Sequence, residues 1–200
     1  MAYISKQASE NKPLIEYCSS GYAKKYELKY RTFKPLENFN IRVALDGKYI
    51  NSMPTVVFGI TARPEEFTKY DFLMGWDTSA FIVHGRVVEV FSEMCPEDFQ
   101  AFNVEIHNFD PKGEQFVNKE FYLINVLHRI RAIDEEKSEI DYSENGVAYV
   151  DKKVFKEDGM QGHLLARDDL TGQIIFHPKL AKKFRKSKGI QFLSDEESPR

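Results

Sequence analysis

Long apolar runs are absent from this 200-residue sequence. The longest runs hold about six residues, whereas a helix that spans a membrane needs roughly 20. The first residues, MAYISKQASENKP, also lack the apolar segment and the small-residue cleavage site of a secretory signal. We therefore expect a cytoplasmic protein that makes no contact with a membrane.

Cysteine is scarce, and the short motifs of common enzymes are missing. Cys18 and Cys95 are the two cysteines of the chain, and in a reducing compartment we expect both to be free thiols. The sequence contains no GxGxxG, GxxxxGK[ST] or GxSxG motif, and no CxxC, HxxxH or HExxH pair of zinc ligands. We therefore expect no cofactor, no metal and no catalytic residue.

Aromatic residues and charge are abundant. The chain is 42% hydrophobic with 16 Phe and 10 Tyr, a composition that is typical of a folded protein and not of a disordered one. Residues 134–158 contain nine acidic residues against four lysines, whereas residues 178–189 contain six basic residues and no acid. The net charge of −3 is therefore unevenly distributed, with an acidic segment in the middle of the chain and a basic segment near its C-terminus.

Turn residues and alternating apolar residues predict several strands and hairpins. Asn145-Gly146 supplies the positive φ angles that a two-residue hairpin turn needs, and Asp46-Gly47 predicts the same for residues 41–50. Residues 61–79 are predicted to be irregular. Further strands are predicted over residues 22–30, 55–60, 102–106, 163–167, 173–176 and 190–193.

Two helices are predicted, and each follows a short apolar strand. Apolar residues at positions 87, 90, 91 and 94 have the spacing of one helix face, and Pro96 ends that helix. A second helix begins at Pro178 and ends before Gly189. FIVHGRVVEVF (81–91) aligns without a gap with IIFHPKLAKKF (174–184), which indicates either an internal pair of helix and strand units or a chance match.

The stretch FYLINVLHRIRAIDEEKS (121–138) fits either a helix or a strand by its spacing. Its aromatic and β-branched residues favour a strand. Within it, Asn125 is expected to satisfy neighbouring backbone groups, and His128 is a weak candidate for a general base. The whole pattern predicts an α+β fold with a mostly antiparallel sheet and a few short amphipathic helices. The predicted organisation is a polar, mobile segment at 1–25, one domain at 26–193 and an acidic tail at 194–200.

These motifs resemble the Imm-eleven class of polymorphic-toxin immunity proteins over roughly residues 75–193. The central motif consists of Tyr122, Asn125, Val126, Leu127, Ala132, Ile133, Asp134 and Ser138. The C-terminal motif consists of Leu180, Phe184, Gly189, Ile190 and Phe192, and Gly75-Trp76-Asp77 is similar to the start of the family's first helix. Where the family often has a small hydroxyl residue, this chain has His84 and His177. Since serine caps helices well and histidine does not, we expect other groups to cap these two helices.

The resemblance implies a protein without catalytic activity that binds a cognate bacterial toxin and neutralises it in competition between bacteria. In that case Tyr122, Asn125, Asp134 and Ser138 form the framework of the family motif. A toxin that cuts nucleic acid carries a positive cleft, which a negative surface attracts and fills. The predicted toxin-binding residues are Asp134, Glu135, Glu136, Glu139, Asp141, Glu144 and, as an exposed aromatic, Trp76.

Other interpretations remain open from the sequence. The acidic stretch also fits a solvated loop that binds nothing. An enzyme would place His84, His128 and His177 in one pocket between the two similar units. An RNA-binding accessory protein would use the basic side chains from Lys179 to Lys188. The single aromatic residue in that segment, Phe184, belongs to the apolar face of the helix. Nucleic acid is therefore not the expected partner, and the sequence does not predict the oligomeric state.

Overall fold

The computed structural model of the chain describes residues 2–4, 15–17, 46–53, 55–60, 65, 68–74, 81–108, 113–146, 148–190 and 192–193. Outside these ranges lie the predicted strand at 22–30, Cys18, the 75–77 motif with Trp76, and the tail at 194–200. The predicted hairpin at 41–50 is described only from residue 46 onwards. There Gly47 has a φ of +79°, as a tight turn requires, but residues 48–50 are not in a strand.

Short strands make up most of the described secondary structure. The first seven are β1 (Ala2–Ile4), β2 (Ile15–Tyr17), β3 (Val56–Ile60), β4 (Phe72–Met74), β5 (Phe81–His84), β6 (Phe99–Asn108) and β7 (Val117–Asn118). The others are β8 (Phe121–Val126), β9 (Arg129–Ile130), β10 (Glu139–Tyr142), β11 (Ala148–Lys152), β12 (Leu165–Asp168), β13 (Ile174–Phe176) and β14 (Phe192–Leu193). The α-helices are α1 (Gly85–Met94) and α2 (Pro178–Ala181), and single 3-10 turns span Pro96–Asp98 and Lys182–Phe184. None of the helices in the described ranges has the length and apolarity to cross a membrane.

The strands form two large sheets and one separate hairpin. Sheet 1 has the order β14-β1-β13-β12-β9, and sheet 2 has the order β2-β3-β6-β8-β5-β4, with β7 also paired to β6. The hairpin of β10 and β11 is a two-stranded sheet of its own. The prediction of an α+β fold dominated by sheet is confirmed, and β8 confirms that the stretch from residue 121 is a strand.

Most of the described strand pairs are antiparallel, as predicted, but each of the two large sheets is mixed because it also contains one parallel pair. In sheet 1, β9 runs parallel to β12. In sheet 2, β3 runs parallel to β6 over five paired residues, from Val56 opposite Val104 to Ile60 opposite Asn108. A parallel pair needs a crossover connection, and here the chain between β3 and β6 provides it with β4, β5 and α1. The strand β4 also corrects the prediction that residues 61–79 are irregular.

The two similar segments adopt the same local structure, in which a strand leads into a helix through a histidine. His84 has φ and ψ of −70° and 152°, and His177 has −61° and 141°. The Nδ1 atom of His84 accepts a hydrogen bond from the backbone N–H of Arg86, and that of His177 accepts one from Lys179. The expectation that other groups cap these helices was wrong, because an imidazole nitrogen replaces the serine oxygen in both units.

The largest core lies between the two sheets and takes side chains from both units. Phe91 of α1 and Phe184 are buried, and their ring centroids are 5.6 Å apart at an interplanar angle of 87°. Phe81 of β5 and Phe176 of β13 make the equivalent contact at 6.2 Å. The helix face at 87, 90, 91 and 94 therefore packs into the same cluster as Leu180 and Phe184.

Two smaller cores cover the outer faces of the sheets. On β5, Phe81 and Val83 belong to the large core, whereas Ile82 between them packs into a second cluster with β3 and β6. Sheet 2 is thus buried on both faces, which is usual for sheets that contain parallel strands. A third cluster, built around Ile130 and Ala132, lies on sheet 1 and includes Phe155 at the base of the separate hairpin.

The segment after α2 is fastened to the beginning of β4. The carbonyl of Lys188 accepts hydrogen bonds from the backbone N–H groups of Asp71 and Phe72, at 3.0 and 3.1 Å. Gly189 has a φ of +94°, and a Cβ atom there would overlap the carbonyl oxygen of Phe72. The glycine of the C-terminal motif is therefore required by its backbone angle and by the close approach of the two segments.

Candidate functional site

The acidic stretch begins as a tightly bonded turn. The carbonyl of Asp134 accepts hydrogen bonds from the N–H groups of Lys137 and Ser138, and its carboxylate lies 2.9 Å from Lys137 Nζ. This ammonium group holds the pKa of Asp134 below its usual value. The side chain of Asp134 is only 16% exposed. Asp134 thus stabilises the turn and offers little surface to a partner.

Ser138 closes the base of the hairpin that follows. Its hydroxyl accepts a hydrogen bond from Val154 N at 3.0 Å and lies 3.3 Å from Val154 O. On either side, Asp134 N donates to Val154 O and Lys156 N donates to Ala132 O. The two chain segments are therefore tied together where they leave the third core.

Beyond this base, β10 and β11 form what we call the hairpin arm, residues 139–146 and 148–152. Gly146 at its turn has a φ of +74°, as predicted, but the loop between the paired residues Tyr142 and Ala148 is longer than the predicted two-residue turn, and Asn145 does not have a positive φ. Successive side chains of a strand alternate between its faces. Asp141 and its cross-strand partner Tyr149 therefore share one face, and Ile140 and Val150 share the other.

The arm presents acid and tyrosine together. Tyr142 is 58% exposed and Tyr149 is 59% exposed, and both are among the few large hydrophobic side chains that the described residues leave in water. Five of the predicted acidic residues are exposed on the arm or beside it, namely Glu135, Glu136, Glu139, Asp141 and Glu144. The carboxylate of Glu135 lies 3.6 Å from Arg131. By the same alternation Tyr149 shares a face with Asp141, whereas Tyr142 lies on the other face. Carboxylates and tyrosine rings both attract cations, so the face with Asp141 and Tyr149 suits a basic partner.

The polar residues of β8 belong to the framework. Asn125 is fully buried, and its Nδ2 donates to the carbonyl of Lys48 at 2.8 Å and to Gln100 Oε1 at 3.2 Å. The amide of Gln100 in turn bonds both the N–H and the C=O of Ile50. Together they hold residues 48–50 on sheet 2, which confirms the prediction that Asn125 satisfies neighbouring backbone groups. Tyr122, on the same strand, packs against the large core as a partly buried side chain.

The three histidines of the enzyme interpretation have separate surroundings. His84 caps α1 through its Nδ1 atom, and its Nε2 atom lies 3.9 Å from Glu120. His177 caps α2. His128 instead stacks on His163, with ring centroids 3.7 Å apart. The structure therefore distributes the predicted histidines over three places, and it adds one that the sequence analysis did not consider.

Asp98 joins His128 and His163 in a cluster that the sequence analysis missed. Asp98 is buried, and its Oδ1 lies 2.9 Å from His163 Nδ1 and 3.6 Å from His128 Nε2. These three residues follow one another at intervals of about 30 residues, so a search for short ligand motifs does not find them. Cys95, close to Asp98 in the chain, is buried, which raises the pKa of its thiol to about 12 and leaves it a poor nucleophile at neutral pH.

The basic segment lies on the surface, as predicted. Leu180, Ala181 and Phe184 are buried in the large core, whereas the basic residues between 179 and 188 are exposed. Phe184 is 4% exposed and is not available to stack on a base. The structure thus gives this segment the solvated face of a surface helix. The other predicted binding residue, Trp76, lies outside the described residues.

The comparisons with known proteins agree with the resemblance seen in the sequence. No curated protein matches the chain. The model of the Immunity protein family (Imm11) matches residues 23–189. The matched range contains the two similar units of strand and helix, the motif around Asn125 and Asp134, and the hairpin arm. It begins at residue 23, whereas the motifs had indicated a resemblance only from about residue 75. Since this match covers most of the sequence, the chain belongs to the Imm11 family of immunity proteins.

Proposed function

We propose that this protein is an immunity protein that binds a cognate bacterial toxin and blocks it by forming a complex, without catalytic chemistry of its own. Membership of the Imm11 family supports the immunity role. The observation that carries the mechanism is the hairpin arm, a separate two-stranded sheet with acidic side chains and two tyrosines in water. Burying such tyrosines against a partner is a common source of binding energy.

The charge of the arm supports a toxin with a basic surface, such as one that must bind phosphate to cut nucleic acid. Carboxylates at 139, 141 and 144 attract lysine and arginine side chains and mimic the negative charge of the toxin's substrate. Tyr149, opposite Asp141 in the register, adds an aromatic face on which a guanidinium group can stack. Hydrogen bonds at the base of the arm fix this surface on the third core before the toxin arrives.

Binding kinetics of the purified pair test this proposal. Reversing Glu136, Glu139, Asp141 and Glu144 to lysine should lower the association rate on the order of 10-fold or more, because the arm would then repel a basic cleft. The wild-type rate should fall as salt rises, since the Debye length shrinks to about 8 Å near 0.15 M.

A control with the same change in net charge separates local from global effects. Glu65, Glu89, Glu93 and Glu114 are exposed residues outside the arm, and their reversal to lysine should slow association far less. Both variants should fold, because exposed charges contribute less than about 1 kcal/mol each. An association rate that is insensitive both to salt and to reversal of the arm would exclude the arm from the interface.

A further inference from the structure

We propose that Asp98, His128 and His163 form a zinc-binding site. The donor atoms are Asp98 Oδ1, His128 Nε2 and His163 Nδ1, and all of them lie within 4.8 Å of one another. Two of the separations are 2.9 and 3.6 Å. In a tetrahedral zinc site with bonds of about 2.0–2.1 Å, neighbouring ligand atoms are about 3.3 Å apart. The fold therefore brings two imidazoles and a carboxylate close to the spacing of zinc ligands.

Asp98 is oriented by hydrogen bonds that leave one oxygen for the ion. Its Oδ2 accepts hydrogen bonds from the backbone N–H groups of Leu164 and Leu165, at 2.8 and 3.0 Å. Its own carbonyl accepts one from Leu127 N at 2.9 Å. Hydrogen bonds to a ligating carboxylate are the usual second shell of a metal site, because they fix the ligand before the metal binds.

The backbones of the two histidines are fixed as well. His163 N donates to the carbonyl of Met160, and the carbonyl of His128 accepts a hydrogen bond from Arg167 N, both at 2.8 Å. The side chains are 29% and 34% exposed for His163 and His128. Both imidazole rings are thus partly exposed to solvent, while the backbone that carries them is held by hydrogen bonds. A water molecule or a side chain of a binding partner can therefore take the fourth coordination position.

Binding requires one ring to turn. The two imidazoles are stacked at 3.7 Å with an interplanar angle of 19°. A zinc ion lies close to the plane of each imidazole that binds it, so it cannot lie in both planes while they are parallel. His128 is the more exposed ring and must rotate about its side chain, which breaks the contact of its Nε2 with the carbonyl of Glu97. The proton on each coordinating nitrogen moves to the other nitrogen of the same ring, so both ligands remain neutral.

The three ligands come from different parts of the fold. Asp98 precedes β6 of sheet 2, His163 precedes β12 of sheet 1, and His128 lies between β8 of sheet 2 and β9 of sheet 1. A bound ion would therefore tie the two sheets together on one side of the large core. Since the unfolded chain does not hold these residues together, zinc should stabilise the folded protein. This inference does not depend on toxin binding by the hairpin arm.

Titration of the metal-free full chain with Zn²⁺ tests the site, with calorimetry and thermal unfolding as readouts. We expect one ion per chain and a rise in the melting temperature. Co²⁺ should give the visible absorption of a tetrahedral site. His128→Ala and His163→Ala should each weaken zinc binding on the order of 100-fold.

Two further variants keep the result unambiguous. His163→Gln retains a donor towards Asp98 but supplies no imidazole, so it should fold normally and lose zinc binding. His107→Ala removes a histidine whose ring lies 3.1 Å from Glu105 but which has no place in the cluster, and it should bind zinc like the wild type. No binding by the wild type, or equal affinity in the wild type and the His128 and His163 variants, would overturn the proposal.

Discussion

At the residue scale, histidine acts as a helix cap at two equivalent positions. An imidazole nitrogen can accept the capping hydrogen bond only in the neutral ring. At His84, burial and the nearby Arg86 lower the pKa below its usual value of 6.5, which favours that neutral form. The capping hydrogen bond of a serine does not depend on pH. With histidine in place of serine, the stability of the start of α1 depends on pH.

The cap at His84 predicts a specific loss of stability in acid. Between the lowered pKa of the folded protein and 6.5, the unfolded chain binds more protons, so the free energy of unfolding falls as the pH falls through this window. His84→Ala should cost about 1 kcal/mol at neutral pH, and His84→Ser should preserve the cap. Urea unfolding at pH 7.5 and 5.5 measures both effects. An equal pH dependence in the wild type and His84→Ser would show that protonation of this ring does not matter.

At the element scale, the two strand and helix units behave as one packed pair. Phe91 and Phe184 occupy equivalent positions and meet edge to face, as Phe81 and Phe176 do one layer below. The alignment of the two segments therefore describes a shared packing need, in which each helix buries an aromatic ring against the other unit between the sheets. Neither helix is long enough to be stable alone.

This packing predicts energetic coupling between the units. Phe91→Ala and Phe184→Ala should each reduce the free energy of unfolding by about 3–5 kcal/mol, since both rings are buried. In a milder cycle with leucine, the double variant should lose less than the sum of the singles. Phe116, which packs on the second core, supplies the control, because Phe91→Leu and Phe116→Leu should be additive. Equilibrium denaturation gives all of these values, and additivity in the first cycle would contradict the coupling.

Much of the element pattern could be predicted because it is local. The helix face that begins at Val87, the Asn145-Gly146 turn and the strand nature of β8 all depend on neighbours within a few residues. The parallel pairing of β3 with β6 could not be predicted, since it joins segments some 50 residues apart and no local pattern specifies the partner. The same limit applies to the site. The exposed acids of the arm were found from composition, whereas the burial of Asp134 and the meeting of Asp98 with His163 depend on tertiary contacts.

At the scale of the whole molecule, the proposed function separates binding from chemistry. A variant with His84→Ser, His128→Gln and His177→Ser keeps a capping acceptor at both helices and removes all three imidazole rings. We expect it to protect cells against the toxin as well as the wild type does, because no step of the proposed mechanism uses those rings. Survival on toxin induction measures this, and the charge-reversed arm is the control that should fail. Lost protection with folding and toxin binding intact would instead indicate catalysis.

The position of β1 has a consequence for how the protein is made. Tyr3 pairs with Ile175 on one side and with Leu193 on the other, so β1 lies between strands that are synthesised long after it. At translation speeds of roughly 5–20 residues per second, some 170 residues separate β1 from its partners, a delay of roughly 10–35 s. Contacts between such distant segments also form slowly. Sheet 1 is thus closed only after residues 192–193 have left the ribosome, and until then β1 lacks at least one of its two partner strands.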